Sequence, residues 1–318
     1  MRVSIRKYSD KPLSDSLLND LLEKSFRASN TGNMQTYSVI VTRSEEKKKA
    51  LAPFHFNQPM ICGAPVVLTF CADFYRFSQW CKARNAEPCY NNFLSFISAT
   101  IDTTIVAQTF AMLAEEAGLG ICYLGTTNYM ASEISEVLQL PELVVPITTI
   151  TVGYPAETPA PTDRLPASGL IHQETYKEVD IDALYAEKEA LPVMQQFVKD
   201  NNKETLAQVF TDIRYNKTNN EAFSKRLWQA LQQAGFVEEG PESYSTTISC
   251  IRFNAQTDAP GRDFHIQKLQ NVNSLCSNNT FCLTFLHIKI SFRPPLTVLA
   301  FESPTRLNNL TPISRLVD

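Results

Sequence analysis

The chain is 318 residues long, 44% hydrophobic and 19% charged, with a formal net charge of −4. That length admits one large domain or two modest ones, with a core that needs no disulfide or metal staple. The acidic balance argues against non-specific nucleic-acid binding, and eight cysteines without a Cys-x-x-Cys pair, beside only four histidines, argue against a zinc site.

The opening stretch, Arg2-Val3-Ser4-Ile5-Arg6-Lys7-Tyr8, crowds three cations and a hydroxyl ahead of the first predicted helix. Two arginines four residues apart, with Ser4 between them, can converge on one small anion. Guanidinium forks suit phosphate oxygens, and charge-assisted bonds are stronger than neutral ones. A solvated basic start would have the same composition. No apolar leader core follows these cations, and the apolar stretch Phe281–Phe301 is broken by His287, Lys289, Arg293 and Pro294-Pro295. The expectation is therefore no membrane association and a cytoplasmic location, with cysteines such as Cys71 serving as small buried hydrophobes.

Helical spacing of Leu13, Leu17, Leu18, Leu21, Leu22 and Phe26 predicts an amphipathic helix over 13–28, capped by Ser14 or Ser16. Asn30-Thr31-Gly32-Asn33 predicts a loop, and Tyr37–Thr42 a strand. A charged turn and short helix follow over 44–50, and a second short helix opens at Asn57-Gln58-Pro59. The β-branched run 65–70 suits a buried strand, and 74–84 a helix. The longest predicted helix is 93–117, with a stripe of Ile97, Ile101, Ile105 and Met112. Small residues Ser98, Ala99, Thr103, Ala107 and Ala111 predict close approach of another helix there. Strands are predicted at 121–124 and 146–154, with a helix from Ser132 to Leu138 between them. After the Pro-rich connection 155–166, helices are expected at 181–189, 192–199, 205–213 and 221–235. Beyond residue 240 the chain turns rich in Ser, Thr and Asn, without a helical stripe.

Taken together, residues 1–239 resemble the FMN-dependent nitroreductase/flavin reductase family, on the side of its oxygen-insensitive NADPH-linked nitroreductases. Arg2-x-Ser4-x-Arg6 followed by Tyr8 resembles the family's phosphate-binding start, and Ser29–Gln35 its loop against the flavin ring. Asn57 stands where the family has an amide at the flavin's polar edge. Tyr123-Leu124-Gly125-Thr126-Thr127 is similar to the Tyr-Ile-Gly-Gly turn over the flavin, and Arg164-Leu165-Pro166 to the final Lys-x-Arg-Leu-Pro phosphate contact. Thr126 replaces the second glycine of the turn, and Thr162 replaces the lysine. Lys203 is the one cation beside Asn201-Asn202 for a nucleotide 2′-phosphate.

The resemblance implies an α+β fold: a mostly antiparallel sheet of about four or five strands, helices on both sides, and an intertwined homodimer with flavin at the interface. It implies FMN as cofactor and NADPH or NADH as electron donor. Arg2, Ser4 and Arg164 are the expected phosphate contacts, and Arg6 the bridge to the pyrimidine edge. Asn30, Thr31, Asn33 and Asn57 are expected along the ring, with backbone N–H groups near Gly125 and Thr126 approaching it. No protein acid or nucleophile is required; the flavin carries hydride to a small aromatic acceptor such as a nitroaromatic, a quinone or free flavin. The alternatives are the same fold with reductive dehalogenation chemistry, or a flavin-free interaction protein. Residues 240–318 form a separate extension outside the resemblance.

Overall fold

The computed structural model describes residues 2–237, so the extension 240–318 lies outside the described residues. Its centre is a four-stranded antiparallel sheet in the order β1-β2-β4-β3, with β1 Tyr37–Thr42, β2 Val66–Asp73, β3 Gly120–Leu124 and β4 Val144–Gly153. β2 and β4 run two or three residues further than the apolar runs alone suggest, because pairing carries Cys71–Asp73 and Val144–Val145 into the ladder. Helices α1 Asp15–Ser25, α2 Glu45–Leu51, α3 Met60–Gly63, α4 Tyr75–Lys82, α5 Phe93–Glu116 and α6 Ala131–Leu138 flank it. An arm follows, with α7 Ile181–Ala190, α8 Pro192–Asp200, α9 Leu206–Gln208 and α10 Lys217–Gln233.

Alternation along the strands splits the core in two. Leu68, Phe70, Ile121 and Ile150 point to one face, where they meet Leu18, Leu21 and Leu22 of α1 and Val106 and Phe110 of α5. Val67, Cys122 and Leu124 point to the other, against Leu51, Met60, Ile61 and Ile134. Ser14 caps α1 by accepting from the Leu17 N–H. Ser132 caps nothing: a 3-10 turn over Gly125–Met130 runs directly into α6, whose N-cap position is Met130. The predicted helix 205–213 is interrupted, since α9 gives way to a π-helical turn at Val209–Arg214.

α5 corrects the expected use of its faces. The small residues Ala99, Thr103, Ala107 and Ala111 are buried, and Thr103 Oγ1 donates to the Cys71 carbonyl of β2 at 3.2 Å. They let the helix lie close on the sheet, and Ala107 and Ala111 also share a cluster with Leu18, Leu21 and Leu22 of α1. The stripe of Ile97, Ile101, Ile105 and Met112 is exposed, with Ile101 54% and Met112 62% accessible. Among the described residues α5 is long and apolar enough to cross a membrane, but its packed face identifies it as a core helix.

An extended N-terminal strap, residues 2–9, closes the free edge of the sheet. The Ile5 N–H donates to the Ile121 carbonyl at 2.9 Å and the Ser9 N–H to the Tyr154 carbonyl at 2.9 Å, and Tyr8 bridges Pro155. The Tyr8 hydroxyl lies 2.7 Å from Thr151 Oγ1 and donates to the Ile5 carbonyl at 2.8 Å; burial pushes its pKa up. Ile5 is buried directly over Gly120, where an added Cβ would stand 2.7 Å from Ile5 Cβ. Gly120→Ala is therefore expected to cost about 1–3 kcal/mol by overpacking and to loosen the strap, measurable as a lower urea midpoint at unchanged slope.

Candidate functional site

Because the strap is extended, Arg2, Ser4 and Arg6 share one side of it and Ile5 the other. Burial raises the pKa of the Cys122 thiol of β3, and the charges of Arg6 and Arg2 partly offset it; the thiol donates to the Tyr123 carbonyl at 3.5 Å. Arg2 lies over the Tyr123 ring, 5.2 Å from the centroid, with Nε 3.7 Å from Glu115 Oε1. Its Nε and Nη2 are nonetheless buried and make no hydrogen bond. Such unmet buried donors are costly, and an anion would satisfy them. The backbone N–H groups of Arg6 and Lys7 both donate to Glu157 Oε1, at 2.6 and 3.0 Å, which holds that carboxyl below its usual range.

The turn after β3 comes next along the same rim. A Cβ on Gly125 would meet nothing within 4 Å, so a flat molecule can approach the backbone there. Thr126 is buried, and its Oγ1 sits 2.8 Å from Nδ1 of the fully buried His55. Desolvation pulls the His55 pKa down from 6.5 to about 4. His55 thus ties the turn to the segment carrying Asn57, which is exposed with a left-handed φ of 52°. Asn57 does not cap α3; Pro59 holds that position without a side-chain bond.

The loop after α1 is built around a residue that belongs to none of the motifs above. Asp102, buried on α5, accepts from the Thr31 N–H at 2.9 Å, the Thr31 hydroxyl at 2.9 Å and the Thr36 hydroxyl at 2.9 Å. The Thr31 hydroxyl proton is therefore committed inward, which corrects its expected role as a donor to a ring. Asn30 Oδ1 accepts from the Gln35 N–H, and Asn33 Oδ1 from the Gln35 amide. Neither Asn30 nor Asn33 uses its side-chain N–H group in these bonds.

A nitroreductase family model matches residues 1–154. The FMN reductase (NADPH) of Bacillus subtilis (strain 168) is 34% identical over 175 residues, covering 54% of this chain and 70% of that protein. The chain belongs to the nitroreductase family. Among solved structures, an oxidoreductase from Bacteroides fragilis NCTC 9343 is 59% identical, with TM-score 0.73 over 74% of this chain and 97% of that one. The NfrA1 nitroreductase of B. subtilis is 28% identical, with TM-score 0.65 over 75% and 97%.

Within this nitroreductase frame the expected site residues fall into three groups. Arg2, Ser4 and Arg6 converge on one side of the strap. Gly125, Thr126 and Asn57 are linked through His55, and Asn30, Thr31 and Asn33 form a third cluster hung from Asp102. Arg164 joins none of them: it is exposed and donates to Thr162 Oγ1 at 2.7 Å and to the Asp163 carbonyl at 2.7 Å. Thr162, standing in the family's lysine position, thus occupies the arginine next to it. Lys203 likewise is paired, with Asp212 at 2.9 Å. The unmet donors of Arg2, together with the Arg6 charge and the open face at Gly125, fit a phosphate-bearing flat cofactor.

Proposed function

We propose that this nitroreductase-family chain is an NAD(P)H-dependent FMN oxidoreductase that passes electrons to a flat aromatic acceptor. The observation that carries the reading is the strap: Arg2 holds two buried donors that make no hydrogen bond, Nε having only the Glu115 carboxylate at 3.7 Å, on the same side as Ser4 and Arg6. The family match and the relative named FMN reductase (NADPH) support it. When bound, FMN supplies hydride exchange with the nicotinamide and the acceptor. Arg2 and Ser4 would donate to the phosphate, and Arg6 would place positive charge by the pyrimidine edge, where negative charge develops. Asn30, Asn33 and Asn57 offer amide N–H groups along the ring. No side chain in the site need move a proton. Arg164 would have to leave Thr162 and Asp163 to reach the phosphate.

The test is a visible spectrum of the purified protein under anaerobic NADPH or NADH. The expected result is a bound flavin that bleaches with the nicotinamide and recovers with a quinone or nitroaromatic. Protein that stays colourless with excess FMN would overturn the reading.

We also propose that two copies pair through the exposed stripe of α5. Leu94, Ile97, Ile101, Ile105 and Met112 lie open along one helix, and single-chain proteins rarely expose so continuous an apolar row. An Ile101→Asp, Ile105→Asp variant should elute as a single chain in light-scattering chromatography, where the wild type elutes as two. Unchanged mass would refute this seam.

A further inference from the structure

α5 carries one charged residue between Phe93 and Ala114, and that residue, Asp102, is 1% exposed. No ion pair reaches it among the described residues. A buried carboxylate is costly unless several donors meet it, and here all of them come from one loop. Thr31 gives its N–H and its hydroxyl to the carboxylate, and Thr36 gives its hydroxyl. The two threonines bracket Gly32–Gln35. Inside that bracket Gly32, Asn33 and Gln35 all have φ near +55°, a region that asparagine and glutamine adopt at a cost. Such backbone persists only where its surroundings over-determine it. The Arg76 guanidinium adds bonds to the carbonyls of Gln35 and Tyr37 from the other side, but the fixed point in the core is Asp102.

We infer that Asp102 is a positioning residue: its carboxylate staples both ends of the loop 31–36 and so presets the amides of Asn30 and Asn33 toward the flavin. The role rests on the FMN reading for its purpose, but not for its geometry, which exists in the protein without cofactor. The staple needs acceptors at Thr31 and any hydrogen-bond partner at Thr36, and it does not need the charge. In Asp102→Asn the amide oxygen can still accept from the Thr31 N–H and hydroxyl, while the new N–H group donates to Thr36 Oγ1. Asp102→Ala removes every arm.

The experiment compares cofactor-free wild type, Asp102→Asn, Asp102→Ala and Thr36→Val. Amide exchange across 31–36 is measured first, then FMN affinity by fluorescence titration. In Asp102→Ala, exchange of the loop amides and the FMN dissociation constant should each rise about 10- to 100-fold, the range for buried hydrogen bonds left unmade. Thr36→Val, which loses one arm and keeps its shape, should fall between. Asp102→Asn should restore both readouts to within about threefold of wild type. Should Asp102→Ala fail to fold, Thr36→Val against Asp102→Asn still decides the matter. Loop exchange that is the same in wild type and Thr36→Val, or an Asn variant as impaired as the Ala variant, would overturn the inference. If the loop loosens as expected but wild type binds no FMN, the staple stands and the flavin reading falls.

Discussion

An Arg2→Gln, Arg6→Gln variant is expected to bind FMN about 10²- to 10⁴-fold more weakly than the wild-type chain. Each guanidinium should contribute about 1.5–3 kcal/mol through charge-assisted bonds, and each 1.4 kcal/mol is about tenfold in affinity. Arg2 brings two donor atoms already stripped of water and without a hydrogen bond, beside Glu115 at 3.7 Å, so much of their desolvation cost falls on folding rather than on binding. Arg6 is exposed, and its share should shrink with salt while that of Arg2 does not. Lys7→Gln is the control, since it removes a charge one residue out of phase with the clamp and should change affinity less than about threefold. Titration of the apoprotein by flavin fluorescence at two salt concentrations measures all of this. An affinity loss no greater for the double variant than for Lys7→Gln would mean that the phosphate lies elsewhere.

The second large effect is acid sensitivity from His55. Its folded pKa is about 4 against 6.5 unfolded, so the unfolded chain takes up a proton that the folded one refuses. The stability associated with neutral His55 is complete above pH 6.5 and is lost progressively as pH falls toward 4. By linkage the loss is about 2 kcal/mol by pH 5 and about 3 kcal/mol by pH 4. The carboxyls held low by hydrogen bonds, Glu45, Glu157, Asp163 and Asp212, work in the same direction, but only where carboxyls titrate, at the acid end of the range. His55→Asn keeps a hydrogen-bonding group near Thr126 and cannot titrate. Urea midpoints of the variant should stay nearly flat between pH 7 and 5, where those of wild type fall. A wild-type curve equally flat across that interval would place His55 in a wetter setting than its burial indicates.

Much of this architecture was legible because local and tertiary demands agree. The strand at Tyr37–Thr42 and the helix from Phe93 were predicted to within a residue, since β-branching in the one and a long apolar run in the other speak for themselves. A turn at Gly125 was expected, but its 3-10 continuation to Met130 and the π-turn at Val209–Arg214 were not, because packing rather than propensity selects them. α5 is apolar all round, so its sequence could not say which face meets the sheet; small side chains decided it by allowing close approach at Thr103. Of the site, the motif residues were found by resemblance, while their supports were not. His55 has no motif and shows itself only as the partner of Thr126, the residue standing where the family has glycine. Asp102 did leave a signal, a solitary charge in an apolar helix, and that pattern alone could have flagged it.

The strap has a consequence for the order in which the protein is made. Its partners are remote in the chain: Arg6 and Lys7 bond Glu157 across 151 and 150 residues, and Ile5 bonds Ile121. The strap must wait, extended and unpaired, until β3, β4 and the turn beyond them have emerged. At about 5–20 residues per second that delay is on the order of ten seconds or more. During it the edge of β3 has no cover, and Arg2, Ser4 and Arg6 have no strand to align them. A nascent chain short of the Glu157 segment lacks the carboxylate that holds the Arg6 and Lys7 N–H groups.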